Sequence, residues 1–314
     1  MNIVFMGTPE FSIPTLTKLY RSHHNVQLVV TQPDRPKGRG RESTPPPVKQ
    51  FALENNIPIL QPKKCTDLEV VKTLGMLNAD FFIVVAFGQI LDKALLALPL
   101  HFCINLHSSL LPKYRGAAPI NWSIINGETE AGITTMKMDV GLDTGDILLA
   151  HKVPINDDDD AQSLHDTLAQ KGSDLVLETL NQFDFGSLEG TSQNIELASY
   201  APKLKKEDGL IQWDQPAVKI HNLVRGLAPW PGAFSFLESK RFKICKTEIK
   251  SCDSSNQPGV ILRISGYGIE VGTQSKKIII TELQPEGKKR MDVKSFLAGH
   301  KLSIGSKFEK QSSL

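Results

Sequence analysis

Phe81-Phe82-Ile83-Val84-Val85-Ala86-Phe87-Gly88 runs apolar through seven positions and stops on a glycine. A half-exposed strand alternates apolar and polar residues. A run that is apolar on both faces belongs to a central parallel strand, covered on both sides. Next along the chain, residues 102–106 alternate and read as the following strand, leading into Asn105-Leu106-His107-Ser108-Ser109-Leu110-Leu111-Pro112. Strand side chains repeat every two residues, so Asn105 and His107 share one face near a strand end. In an open α/β sheet ligands bind at that end. The serines and Pro112 turn the chain, and Gly116 lets its backbone come close to a ligand. Taken alone, the Asn-x-His spacing is also what a strand exit with ordinary turn polars produces.

Toward the amino terminus, residues 2–6 read as a short buried strand. A helix to Tyr20 is expected after it, with Thr8 as N-cap and Pro9 at the first helical position. Only Gly7 stands where a dinucleotide fingerprint needs three glycines, which argues against a nicotinamide site. Residues 26–31 make a strand, 48–56 a helix, 58–60 a short strand and 65–77 a helix. This alternation predicts an α/β fold with a doubly wound, mostly parallel, Rossmann-like sheet. Residues 119–125 follow as a helix and 133–138 as an alternating strand. The strand runs into Asp139-Val140-Gly141-Leu142-Asp143-Thr144-Gly145-Asp146. A carboxylate held between those glycines could orient an imidazole and keep it protonated, although a plain hairpin loop has the same composition. The acidic run 157–160 opens a further helix, with Leu164, Leu168, Leu175 and Leu180 on its inner face. It reads as capping and not as a metal site, since consecutive helical positions point in different directions.

The pattern weakens after residue 183. We expect a first domain over 1–183, a linker over 184–208 and a second domain over 209–314. Five short strands with turn signals in the second domain suggest a small barrel of the oligonucleotide-binding type. The net charge of +2 is divided unevenly, at −6 for 1–208 and +8 for 209–314. A basic second half suggests a polyanionic partner. So does the long Gly/Pro-rich loop that follows residue 31, with its cations Arg35, Lys37, Arg39 and Arg41. No apolar run approaches the roughly 18 residues that a membrane span needs. No signal peptide is visible at the start. The four cysteines form no C-x-x-C pair, which fits a reducing, cytoplasmic setting.

Asn105-x-His107 running into Ser109-Leu110-Leu111-Pro112, followed by Gly141-Leu142-Asp143-Thr144-Gly145, resembles the folate-dependent formyltransferases. The likeness extends to Gln32-Pro33-Asp34-Arg35-Pro36, Val85-Ala86-Phe87-Gly88, Ser199-Tyr200-Ala201 and Pro229-Trp230-Pro231-Gly232, and is greatest to the branch that formylates methionyl-tRNA. The resemblance implies a formyltransferase domain joined to a basic barrel that binds tRNA. The formyl donor would be 10-formyltetrahydrofolate and the acceptor the amine of methionyl initiator tRNA. The implied catalytic residues are Asn105, His107 and Asp143. Folate contacts are implied at Val85, Ala86, Phe87 and Gly88 and at Ser109, Leu110, Leu111 and Pro112. The loop with Arg35, Lys37, Arg39 and Arg41 would reach the tRNA. No metal, no membrane and a monomer are expected. Three other readings share parts of this sequence: formyl transfer to a small amine, hydrolysis of the folate, and RNA binding without catalysis.

Overall fold

Strand β1 (Asn2–Gly7) lies in the interior of the first sheet, and every residue from Ile3 to Met6 is buried. The computed structural model describes residues 1–37, 42–250 and 257–310. One turn of 3-10 helix (Glu10–Ser12) precedes helix α1 (Ile13–Tyr20). The helix therefore begins later than the Thr8-Pro9 signal suggests. The Thr8 hydroxyl donates instead to the Phe87 carbonyl at 3.0 Å, and the Ser12 hydroxyl to the Val85 carbonyl at 2.7 Å. Both side chains stitch the end of β1 to the neighbouring strand, a tertiary use that overrides the local capping preference.

Strand β2 (Asn25–Val30) follows, then a short antiparallel pair, β3 (Arg35–Lys37) and β4 (Glu42–Thr44). Helix α2 (Pro47–Glu54), β5 (Ile59–Leu60) and α3 (Leu68–Gly75) lead to β6 (Phe81–Val85), buried at every position. After α4 (Lys93–Leu96) come β7 (Phe102–His107), the two-residue β8 (Arg115–Gly116) and α5 (Pro119–Ile125). Strands β9 (Glu130–Lys137) and β10 (Ile147–Pro154) precede the long helix α6 (Ala161–Asp184). At the start of α6 the Asp160 carboxylate accepts the N–H groups of Gln162 and Ser163, each at 2.9 Å. That is the capping role read from the acidic run.

The sheet runs β10-β9-β7-β6-β1-β2-β5. Strands β5, β2, β1, β6 and β7 are mutually parallel, and β9 and β10 add an antiparallel edge. The chain leaves β1 toward β2 on one side and returns at β6 on the other. The switch point between β1 and β6 therefore opens a crevice at their carboxyl ends. The two-residue strand β11 (Tyr200–Ala201) pairs in parallel with β8. One unit comprises Met1–Pro119, Glu130–Pro154 and His165–Ala201, and the other Ile120–Thr129, Ile155–Leu164 and Pro202–Leu314.

The second unit holds helix α7 (Ala217–Gly226), strands β12 (Ala233–Leu237), β13 (Lys240–Lys250), β14 (Ile261–Ile264), β15 (Ile269–Gly272), β16 (Lys277–Pro285) and β17 (Met291–Asp292), and helix α8 (Val293–Gly299). Its sheet runs β12-β13-β16-β15-β14, with β17 on β16. Edge strands β12 and β14 are joined by the segment after α8. Phe236 and Glu309 exchange backbone hydrogen bonds at 3.1 and 2.7 Å, and the N–H of Ile261 donates to the Ser306 carbonyl at 2.8 Å. The sheet closes into a small barrel. Its interior holds Ile261, Val271, Ile278 and Ile280, and Trp213 stacks on Phe308 with ring centroids 5.4 Å apart.

One buried histidine makes the first unit sensitive to acid. His24 lies against His23, with ring centroids 4.1 Å apart, and its Nδ1 is 3.4 Å from the amino group of Met1. Burial, then the His23 charge and the amino terminus, push its pKa from 6.5 down to about 4. The unfolded chain takes up this proton more readily than the folded one. The stabilisation from a neutral His24 is therefore complete above pH ~6.5 and is lost as the pH falls through about 4. We expect His24→Phe to flatten the fall in melting temperature between pH 7 and pH 4. Parallel pH profiles for the two proteins would refute this assignment.

Candidate active site

Strand β7 delivers Asn105 and His107 to one face, as its period requires. His107 is 6% exposed, and its Nε2 lies 3.0 Å from the Tyr114 carbonyl oxygen. That oxygen can only accept, so Nε2 carries the hydrogen. The other ring nitrogen, Nδ1, is 3.7 Å from Asp143 Oδ2, within ion-pair range but outside hydrogen-bond distance. Asp143 Oδ2 accepts the Gly116 N–H at 2.8 Å. Asp143 itself is left-handed (φ +53°), an uncommon backbone state that aspartate tolerates better than most residues. No hydrogen bond joins the half-buried Asn105 amide to another described residue. The structure thus brings His107 and Asp143 together from positions far apart in the chain, with Asn105 two residues before the imidazole.

The turn after β7 is fixed by hydroxyl side chains bonded to its backbone. The Ser109 hydroxyl donates to the Lys113 carbonyl at 2.6 Å. Thr134, fully buried on β9, donates its hydroxyl to the Ser109 carbonyl at 2.6 Å and accepts the Leu111 N–H at 3.3 Å. The Leu111–Pro112 peptide is cis. From the other side, Ser199 accepts the Tyr114 N–H on its hydroxyl at 2.9 Å and the Arg115 N–H on its carbonyl at 2.8 Å. Gly116 (φ +116°) lets the chain pass Ala201, since a Cβ there would lie 2.8 Å from the Ala201 carbonyl oxygen.

A cleft of about 440 Å³ opens at the β1/β6 switch point, between Thr8, Pro9, Ala86, Phe87 and Gly88 on one side and Arg35, Pro36 and residues 44–47 on the other. Val85, the last residue of β6, is fully buried. The segments implied for folate take different places in the site. Ala86, Phe87 and Gly88 line the cleft, whereas Ser109, Leu110, Leu111 and Pro112 form the hydrogen-bonded turn beside His107. The Gly/Pro-rich loop after residue 31 starts and ends as the β3–β4 pair. Its base is anchored by Asp34, which accepts from Lys49 and Gln61 at 2.7 Å each. Those bonds hold the Asp34 carboxyl below the usual range. The Arg35 guanidinium donates to Gln32 at 3.0 Å, and the backbone of Lys37 pairs with Glu42. Arg39 and Arg41 lie outside the described residues. Among the described residues, no cluster of three His, Cys, Asp or Glu side chains could hold a metal ion, and no helix is long and apolar enough to cross a membrane.

Residues 1–180 match the family model described as formyl transferase, and residues 203–301 that of the formyl transferase C-terminal domain. A protein of Citrifermentans bemidjiense named methionyl-tRNA formyltransferase is 53% identical over 97% of this chain and 95% of its own. One of the same name from Geobacter sulfurreducens is 52% identical over 98% and 96%. The chain belongs to the methionyl-tRNA formyltransferase family. Its fold is also that of a sugar 3N-formyl transferase crystallised with dTDP and 5-N-formyl-THF, at TM-score 0.68 and 21% identity over 92% of this chain and 99% of that one. HypX from Aquifex aeolicus in complex with tetrahydrofolic acid matches at TM-score 0.62 and 16% identity, over 96% of this chain and 50% of its own.

In this member of the formyltransferase family, two residues beside the pair escaped the sequence reading. Arg115 is 2% exposed, and its Nε and Nη2 donate to Gln193 Oε1 at 3.1 and 2.7 Å. Gln193 in turn donates from Nε2 to the carbonyls of Asp143 and Gly145, at 2.9 and 2.7 Å. Gln193 stands 50 residues beyond Asp143 in a polar stretch with no periodic pattern, so no local signal could reveal it.

Proposed function

We propose that this chain transfers the formyl group of 10-formyltetrahydrofolate to the amino group of methionyl initiator tRNA. Family membership supports the reaction. The observation on this chain's own residues that carries the reading is the His107 ring, held between a carbonyl on Nε2 and a carboxylate near Nδ1. With the hydrogen fixed on Nε2, a neutral ring turns the Nδ1 lone pair toward the space beside Asp143. The amine attacks the formyl carbon, a C–N bond forms and the carbonyl oxygen gains negative charge. Nδ1 takes the proton that the amine must lose. The imidazolium so formed faces Asp143, 3.7 Å away, and lies next to the developing oxyanion. The Asn105 amide, with no hydrogen-bond partner among the described residues, offers that oxyanion an N–H, a donor typically worth about 3–4 kcal/mol of barrier. The tetrahedral intermediate collapses as the bond to N10 of the folate breaks, and the proton on Nδ1 passes to N10.

The folate would be held by Val85, Ala86, Phe87 and Gly88 and by the turn Ser109, Leu110, Leu111 and Pro112. A cleft of about 440 Å³ falls within the usual range for a small-molecule site. Arg35, Lys37, Arg39 and Arg41, with the basic second unit, would meet tRNA phosphates. We assign a monomeric, cytoplasmic protein with no metal requirement.

The deciding experiment offers 10-formyltetrahydrofolate with methionyl initiator tRNA, with methionyl elongator tRNA and with no tRNA. Formylation of the initiator alone is expected. Release of tetrahydrofolate without tRNA would point to hydrolysis or a small acceptor. Salt-sensitive RNA binding with no folate turnover would leave only the non-catalytic reading.

A further inference from the structure

We propose that Gln193 is a positioning residue for formyl transfer, holding the Asp143 loop against the Arg115-Gly116 dipeptide, whose arginine is buried. This role rests on the function proposed above. Asp143 is fixed to that dipeptide twice. Its carboxylate accepts the Gly116 N–H at 2.8 Å, and its carbonyl accepts from Gln193, which accepts from Arg115. The second link bears on the left-handed backbone of Asp143 itself. Such a conformation persists only where its surroundings over-determine it. Arg115 is an unusually good anchor. Its backbone N–H donates to Ser199 at 2.8 Å, and its strand pairs with β11.

Residue type matters at position 193. The site needs an acceptor on one side for two guanidinium N–H groups and two donors on the other for the carbonyls of Asp143 and Gly145. A primary amide supplies both. A carboxylate of the same shape would satisfy Arg115 but would set its second oxygen against two carbonyl oxygens with no hydrogen between them. Around Arg115 the polar network is otherwise sparse, and its Nη1 has no partner among the described residues. Gln193 thus couples the guanidinium to the loop whose carboxylate faces His107.

The test is Gln193→Glu, with Gln193→Met as a second variant, each made alone and in an Asp143→Asn background. Melting temperature, kcat and KM for methionyl-tRNA are measured on the full chain. If Gln193 acts through Asp143, Gln193→Glu lowers kcat roughly 10- to 100-fold, because a small displacement of a catalytic group suffices for such a loss. KM should change less than about 3-fold, and the same substitution should cost less than about 3-fold in the Asp143→Asn background, as expected for coupled residues. Equal losses in both backgrounds would overturn the proposal. So would a lowered melting temperature with unchanged kcat, or failure of both variants to fold, since the role would then be purely structural. Absence of transfer by the unmodified protein would instead overturn the reaction itself, and the positioning role with it.

Discussion

Asn105→Ala and His107→Ala should each lower turnover at least ~100-fold, the typical loss when a donor to a developing oxyanion is removed at Asn105 and when the proton-transfer group is removed at His107. The two substitutions differ in what else they disturb. The Asn105 amide makes no hydrogen bond to a described residue, so truncating it leaves no buried group stranded. Its melting temperature should stay close to that of the unmodified protein, and the loss should appear in kcat. His107 is buried and bonded to the Tyr114 carbonyl. Removing the ring leaves a cavity and takes a hydrogen-bond donor away from the Tyr114 carbonyl. Its turnover must therefore be read beside a thermal melt. Near-normal turnover in either folded variant would remove that residue from the chemistry.

Thr134→Val should destabilise the first unit by roughly 2–4 kcal/mol, with little change in side-chain volume. The threonine hydroxyl gives its hydrogen to the Ser109 carbonyl and takes that of the Leu111 N–H, and the residue is fully buried. Valine fills the same space but leaves both backbone groups without a partner, each costing about 1–3 kcal/mol. Thr134→Ser keeps the hydroxyl and should lose much less. Urea unfolding of the three proteins measures the difference. Equal midpoints for the threonine and valine forms would show that the turn finds other partners.

The parts of this fold that were legible in the sequence are those that hydrophobic burial writes into it. Strand β6 could be read because all five of its residues are buried. The edge strand β10 escaped, since of its eight residues only Leu148 and Val153 are buried and an irregularity after Ile147 breaks its alternation. The β3–β4 pair is held by backbone bonds between residues with no apolar pattern. At the site, Asn105 and His107 are two residues apart on one strand, so their shared face follows from strand geometry alone. Their link to Asp143 does not, because nothing local brings β7 and that loop together. Gln193 is further from view still. Composition marks its surroundings as lacking a core, but a polar stretch tied down by side-chain hydrogen bonds and one left free look alike in sequence.

The segment from Gly305 to Glu309 bonds both edges of the second sheet, reaching Gly259 and Ile261 at one margin and Phe236 at the other. In the order of synthesis it is the last described piece of that unit to arrive. Until it has left the ribosome, β12 and β14 present rows of unpaired backbone groups, the kind of margin to which a second nascent chain can add. The barrel's protection against such pairing between chains is thus deferred until after every strand of its sheet has been synthesised, in a protein whose proposed product begins translation.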